Sequence, residues 1–158
     1  MNKGKNVVLA VASFGGHWKQ LFHIVSAIQS NTDNVEFVYC TTDASLMIED
    51  KLYVINDFSA DNKIKALGAA LFSFKVLIKE RPNVIITTGA APGLIMIISA
   101  YLLRVKKRIW LDSIANSESI SKSGKLAKYF TTHHFTQWKH LEHVGKNNRC
   151  TIYIGAIL

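Results

Sequence analysis

The chain has 158 residues, 49% of them hydrophobic and 19% charged, which is the composition of a folded globular protein with its own core. Its 19 Lys and Arg residues against 11 Asp and Glu residues give a formal net charge of +8. This charge favours an anionic partner over a cationic one, although lysines that only keep the surface solvated are the alternative. No linker, repeat or zinc-ligand spacing interrupts the sequence, which predicts a single domain over residues 1–158.

Seven short apolar runs alternate along the chain with segments of helical periodicity. Runs that are apolar on both faces and are followed by helices are typical of a parallel sheet covered on both sides. The sequence therefore predicts an α/β, Rossmann-like fold. The predicted strands are Val7–Ala12, Val35–Thr41, Leu52–Ile55, Val84–Thr88, Arg108–Asp112, His133–Gln137 and Thr151–Ile154.

The first predicted strand runs into the turn Ser13-Phe-Gly15-Gly16-His17, and a helix is predicted over His17–Gln29. This arrangement aims free backbone N–H groups and the positive end of a helix dipole at one point, which favours a phosphate or diphosphate. His17 is a candidate to accept a proton there, with simple helix capping as the alternative. The turn lacks G-x-G-x-x-G, and Asp43 stands too far beyond it for a ribose-binding acid, which argues against a dinucleotide.

The next helix is predicted from about Asn62 to Glu80 and has apolar residues on two sides. We expect one stripe to face the core: Ile64, Leu67, Leu71, Phe74 and Ile78. The opposite face then carries Lys65, Phe72, Lys75 and Val76, a mixture of apolar and basic side chains that suits a membrane interface. A protein interface and an idle surface are the alternatives.

A second glycine turn, Thr88-Gly89-Ala90-Ala-Pro-Gly93, follows the fourth predicted strand. In an open parallel sheet both glycine turns lie at the carboxyl edge, so they can hold ligand groups from two sides. The segment Leu94–Leu103 that follows is apolar all round and too short to span a bilayer. It is either buried against the sheet or pressed into lipid, with the basic cluster 104–108 at the headgroups.

The fifth predicted strand ends in Asp112 and Ser113, and Asn116 follows in a polar loop. Carboxylate and hydroxyl groups near a phosphate turn can serve as a general base or bind sugar hydroxyls, whereas an ordinary polar loop is the alternative. His133 and His134 are neighbours on a strand and point to opposite faces, which argues against a metal pair. We expect no metal and no cofactor.

Several short motifs occur in an order that resembles a known family. The chain resembles the PssD/EpsE-type glycosyltransferase subunits of capsule and exopolysaccharide biosynthesis. These subunits are similar to the membrane-recruiting subunit of the eukaryotic UDP-GlcNAc transferase of asparagine-linked glycosylation, and to the N-terminal half of MurG. The motifs are Ser13-Phe-Gly-Gly-His17, Thr87-Thr-Gly-Ala-Ala-Pro-Gly93, Trp110-Leu-Asp-Ser113, Ser123-Gly-Lys-Leu126, Thr136-Gln-Trp138 and Tyr153-Ile-Gly-Ala156.

The resemblance implies the acceptor-binding half of a GT-B glycosyltransferase. By position it implies that His17 and Asp112 are catalytic, although Asp112 stands where many relatives have Glu. It implies that the acceptor and its diphosphate are bound by Ser13, Gly15, Gly16, Gly89, Ala90, Gly93, Ser113 and Asn116. The chain ends at Leu158, where a one-chain GT-B enzyme would cross to its second domain, so the donor site is expected on a separate partner.

The expected function is therefore that of an acceptor-binding subunit of a two-component glycosyltransferase. It would transfer a sugar from a UDP-sugar to a lipid-diphosphate-linked saccharide, as a peripheral protein at the cytoplasmic face of the membrane. The alternative is a scaffold that recruits the catalytic partner and takes no part in the chemistry. Nucleic acid is not an expected partner, because no strand interleaves aromatic and basic residues.

Overall fold

The computed structural model describes residues 6–56, 63–145 and 150–157. The strands in these residues are β1 (Asn6–Ala12), β2 (Val35–Thr41), β3 (Lys51–Val54), β4 (Val84–Thr87), β5 (Lys107–Leu111), β6 (His133–Thr136) and β7 (Ile152–Tyr153). The helices are α1 (Gly16–Asn31), α2 (Lys63–Glu80), α3 (Ala90–Leu102) and α4 (Lys122–Ala127), with a 3-10 turn at Lys139–Leu141. Each predicted strand matches an observed one to within one residue at either end. The predicted start of the second helix, Asn62, lies outside the described residues.

The strands form one parallel sheet in the order β3-β2-β1-β4-β5-β6-β7, which confirms the Rossmann-like class. The chain builds outward from β1 to β3, then returns to the other side of β1 and continues from β4. The order therefore reverses between β1 and β4, which pair in register from Val8 with Val84 to Val11 with Thr87. In open α/β sheets ligands bind at the carboxyl ends of the strands beside such a reversal.

Helices cover both faces of the sheet. Ala10 and Ala12 of β1 pack with the α1 side chains Leu21 and Val25 on one face. Alternate residues of β1 belong to the other core, under α2, α3 and α4. Helix α3 begins four residues before the predicted segment. Pro92 does not prevent this early start, because it falls in the first turn, where its missing N–H is not needed.

The apolar helix α3 is mainly buried between its neighbours. Met96, Ile97 and Ala100 have at most trace exposure, and α3 packs against both α2 and α4. Burial is therefore the correct one of the two alternatives for the inner side of this helix, while Tyr101 and Leu102 at its end are exposed. No helix among the described residues is long and apolar enough to cross a bilayer.

The predicted orientation of α2 was wrong. Leu67 and Leu71, predicted to face the core, are 63% and 64% exposed, whereas Val76, predicted to face outward, is 2% exposed. Phe72 is half-buried and packs edge-on against Tyr53. The residues that α2 turns inward are Ala66, Ala69, Ser73, Val76 and Leu77, and the small ones let α2 approach its neighbour α3 closely.

The two adjacent histidines of β6 point to opposite faces, as predicted. His133 is exposed, and His134 is buried with its Nε2 3.0 Å from the carbonyl oxygen of Gly124. A carbonyl can only accept, so Nε2 carries the proton, and Nδ1 is buried with no partner among the described residues. Burial lowers the pKa of His134 to about 4.

His134 should therefore make the protein sensitive to acid. The unfolded chain binds a proton at this histidine near pH 6.5 and the folded chain only near pH 4, so stability falls as pH drops between these values. The loss should reach about 3 kcal/mol at pH 4. The free energy of unfolding of His134→Gln, measured by urea titration at pH 7 and pH 4.5, should show a smaller difference than that of the wild type. His133→Gln is the exposed control, and an unchanged pH dependence in His134→Gln would contradict this explanation.

Candidate functional site

A cleft of about 680 Å³ lies at the carboxyl edge of the sheet, beside the reversal of strand order. Three segments form it: the turn between β1 and α1, the residues after β2, and the start of α3. Its lining residues are Ser13, Phe14, His17, Thr42, Asp43, Ala90 and Ala91. Of the predicted site residues, Ser13, His17 and Ala90 thus come together here.

Sequence reasoning did not assign four lining residues to the site: Phe14, Thr42, Asp43 and Ala91. Of these, Asp43 was considered only as a ribose-binding acid and set aside. Phe14 lies within the predicted glycine turn. A large aromatic residue in such a turn is a signal that could have indicated a ligand contact. Thr42 and Asp43 follow β2, and a strand end beside β1 in a parallel sheet points to the same edge. The sequence shows the strands but not their order, so the contribution of β2 could not be assigned in advance.

Two helices start at this edge without a side-chain cap. Helix α1 has Gly15 at its N-cap with a φ of 96°, and α3 has Gly89 at its N-cap with a φ of 127°. In both cases glycine allows a backbone conformation that other residues rarely adopt. The first N–H groups of each helix donate to no capping side chain, and the positive ends of both dipoles lie beside the cleft. This geometry favours an anion.

The His17 ring is held between the two turns. Its Nδ1 lies 2.8 Å from the carbonyl oxygen of Thr88, and the Thr88 hydroxyl donates to the carbonyl oxygen of His17 at 2.7 Å. Because the carbonyl oxygen can only accept, Nδ1 carries the proton and Nε2 keeps a lone pair in the neutral ring. The ring is thus fixed with a proton acceptor available at a half-buried position that lines the cleft.

Close packing explains both glycines of the second turn. A Cβ on Gly89 would lie 3.0 Å from Cε1 of His17, so the absence of a side chain at Gly89 leaves room for the imidazole ring. A Cβ on Gly93 would lie 2.2 Å from the Thr87 hydroxyl oxygen, and Gly93 is buried. The prediction that Gly93 contacts the phosphate is therefore corrected: this buried glycine allows α3 to pack closely against β4.

Asp112 lies outside the cleft lining and is 1% exposed. Its Oδ1 accepts hydrogen bonds from Trp110 Nε1 at 3.1 Å and from the Ser121 hydroxyl at 2.6 Å. Its Oδ2 accepts from Asn116 Nδ2 at 3.1 Å and from the Ser121 backbone N–H at 2.9 Å. A carboxylate with four donors and no access to the cleft has no position from which to take a proton from a substrate. The predicted catalytic role of Asp112 is corrected to a structural one.

The predicted ligand contacts of Ser113 and Asn116 are corrected with it. Asn116 uses its amide on Asp112, and the buried Ser113 hydroxyl accepts from the Ala115 N–H at 3.3 Å. Both side chains therefore shape the loop after β5 rather than the cleft. Among the described residues there is no group of three or more His, Cys, Asp or Glu side chains that could hold a metal ion.

The family model described as "Oligosaccharide biosynthesis protein Alg14 like" matches residues 53–157, which is more than half of the chain. The chain belongs to this family. This result confirms the resemblance to the Alg14 type of subunit, while the narrower PssD/EpsE type stays a prediction. The matched span of this Alg14-like chain contains the second glycine turn and the Asp112 loop, and the first glycine turn lies before it.

Solved structures of two kinds of enzyme share the fold. MurG of Acinetobacter baumannii superposes with a TM-score of 0.73 at 10% identity, over 96% of this chain and 46% of that one. UDP-N-acetylglucosamine 2-epimerase of Rickettsia bellii gives 0.71 at 10% identity, over 96% and 45%. The epimerase of Neisseria meningitidis, bound to UDP-GlcNAc, gives 0.67 at 11% identity, over 93% and 46%. No curated protein matches the sequence.

The Alg14-like chain spans less than half the length of each of these structures. Its sheet and helices correspond to the N-terminal half of a GT-B protein, which confirms the predicted fold class. At these identities the likeness concerns the fold alone, and the role of the cleft has to be argued from its own residues.

Proposed function

We propose that this Alg14-like protein is the acceptor-binding subunit of a two-component glycosyltransferase, which acts on a lipid-diphosphate-linked saccharide. The observation that supports it most is the convergence of two uncapped helix N-termini on one cleft that also contains the fixed imidazole of His17. The helix ends would bind the acceptor diphosphate. A volume of about 680 Å³ has room for a diphosphate with an attached sugar.

In this function His17 acts as the general base. Nδ1 stays bonded to the Thr88 carbonyl oxygen, while Nε2 takes the proton from the acceptor hydroxyl as that hydroxyl attacks the anomeric carbon of the donor sugar. The C1–O bond to the nucleoside diphosphate breaks at the same time, and the diphosphate leaves with the bonding electrons. The donor is a UDP-sugar held by a partner subunit, which we propose as a separate chain. Capsule or exopolysaccharide synthesis is the proposed context.

The direct test is sugar transfer by the purified chain and a candidate partner subunit. Radiolabelled UDP-glucose, UDP-galactose and UDP-GlcNAc are incubated with membrane lipid extract, with each protein alone and with both together. Transfer that requires both proteins supports the two-component enzyme and identifies the donor sugar. Transfer by this chain alone would mean that it contains a complete donor site, which contradicts the proposal. A stable complex without transfer would favour a scaffold.

We further propose that the enzyme binds the membrane through the outward face of α2. This face combines the apolar stripe that the sequence predicts as the core side with Lys75 of the predicted membrane face. Ile64, Leu67, Leu71 and Ile78 are all exposed and recur at helical spacing on one side. Lys75 and Lys79 are also exposed on this helix. Apolar side chains beside ammonium groups suit the interface of a membrane that contains anionic lipid. Localisation would then be peripheral, at the cytoplasmic face.

Charge on this stripe should weaken membrane binding. We expect Leu67→Glu/Leu71→Glu to reduce co-sedimentation with phosphatidylglycerol-containing vesicles by about tenfold or more, because two apolar contacts are lost and two negative charges face anionic lipid. The matched control is Leu126→Glu, which changes an exposed leucine of α4. Equal binding by the double variant and the wild type would reject α2 as the membrane contact.

A further inference from the structure

Two side chains of the cleft have no role in binding a diphosphate. Phe14 is 57% exposed and is the one aromatic carbocycle among the described residues that line the cleft, most of which are polar. Asp43 places a carboxylate in the same cleft, where its negative charge opposes a bound phosphate. A diphosphate alone therefore explains neither the Asp43 carboxylate nor the Phe14 ring. Both are explained if the ligand has a second, uncharged part that contacts them.

Hydrogen bonds fix the backbone of Phe14 and the carboxylate of Asp43. The Phe14 backbone N–H donates to the Thr42 hydroxyl at 3.0 Å, which ties the glycine turn to the segment that carries Asp43. Asp43 Oδ1 accepts from the Ser45 backbone N–H and from the Ser45 hydroxyl, both at 2.8 Å. Both bonds end on Oδ1, so they orient the carboxylate without using Oδ2. The backbone of Phe14 and the carboxylate of Asp43 are therefore arranged before a ligand arrives, which reduces the entropy lost on binding.

We propose that Phe14 and Asp43 form a saccharide subsite that binds the sugar next to the acceptor diphosphate. A pyranose ring has an apolar face of C–H groups that packs on an aromatic ring, and hydroxyl groups at its edge that donate to a carboxylate. The inference rests on the proposed function, because the helix ends must hold the diphosphate for the sugar to lie here. Asp43 would select an uncharged sugar, since a uronic acid would place a second carboxylate beside it.

The subsite predicts a difference between two ligands that share a lipid diphosphate. Farnesyl diphosphate and farnesyl-diphosphate-linked N-acetylglucosamine are titrated into the full chain by calorimetry. We expect Phe14→Leu and Asp43→Asn each to weaken binding of the sugar-linked ligand by about tenfold, which corresponds to about 1.4 kcal/mol. Farnesyl diphosphate should bind Phe14→Leu as it binds the wild type, and should bind Asp43→Asn as well or more tightly, because a repulsive charge is gone.

Asp33→Asn is the matched control, because this exposed carboxylate lies between α1 and β2 at the opposite edge of the sheet. Equal losses for both ligands in the Phe14 and Asp43 variants, or no loss, would reject the saccharide subsite and leave the diphosphate site in place. Wild-type protein that binds both ligands equally would reject it in the same way. Wild-type protein that binds neither ligand would reject the diphosphate site of the proposed function, and the subsite with it.

Discussion

His17→Ala is expected to reduce sugar transfer by the assembled two-subunit enzyme by about 10²-fold to 10⁴-fold, the usual range for loss of a general base. The reason is geometric: the Thr88 carbonyl oxygen fixes Nδ1 as the protonated nitrogen and leaves Nε2 as the acceptor. The loss should appear in kcat measured at saturating acceptor, since the diphosphate is bound by backbone N–H groups that the substitution leaves in place.

Two further variants separate a general base from a merely structural histidine. The side-chain amide of His17→Asn can still donate to the Thr88 carbonyl oxygen but offers no basic nitrogen, so its activity should be as low as that of His17→Ala. His23→Ala removes an exposed histidine from the same helix and should keep full activity. Normal transfer by His17→Ala, together with normal complex formation, would instead identify the protein as a scaffold.

The strands were predictable because their signal is local. Each predicted strand is a short apolar run next to a turn, and in a parallel sheet covered on both faces such runs are required by burial. The two glycine turns were predictable as parts of one site for a related reason. Gly15 and Gly89 follow strands, and helices begin directly after both. Only the strand order, which places β4 beside β1, had to come from the structure.

The face of α2 could not be predicted, because two stripes of this helix are apolar. Periodicity identifies a stripe by hydrophobicity, so the large residues Leu67 and Leu71 appeared to be the core. The helix instead buries Ala69 and Ser73, since close contact with α3 requires small side chains. Which stripe is buried depends on the neighbouring helix, and the sequence of α2 alone does not contain that information.

Asp112 illustrates the same limit for a site residue. Its place at the end of β5 predicts the correct edge of the sheet, but its four hydrogen bonds come from residues two to nine positions away. One of these donors also packs on the second glycine turn: Trp110 Nε1 donates to Asp112, and Trp110 Cζ2 is 3.7 Å from where a Cβ on Gly89 would be. The hydrogen-bond donors around a carboxylate decide whether it binds a substrate or stabilises a loop, and the position of Asp112 in the sequence does not reveal them.

Asp112→Asn is therefore expected to destabilise the fold by about 3 kcal/mol, because it removes a buried charge acceptor and leaves donors facing an amide N–H₂. The measurement is urea unfolding, in which the midpoint should fall with little change in slope. Glu118→Gln removes an exposed carboxylate from the same loop and should leave the midpoint unchanged.

Asp112→Glu tests the same network by size rather than by charge. A Cβ on Gly124 would already lie 2.6 Å from Asp112 Oδ1, so the site has no room for an additional methylene group. The longer carboxylate should thus be nearly as destabilising as the amide, although it keeps the charge. A general base predicts the reverse pattern: normal stability in both variants, with low transfer by Asp112→Asn and partial activity in Asp112→Glu. Stability and transfer measured on the same preparations distinguish the two roles. If the carboxylate is structural, both variants lower the free energy of unfolding, and the enzyme that is still folded at the assay temperature continues to transfer sugar.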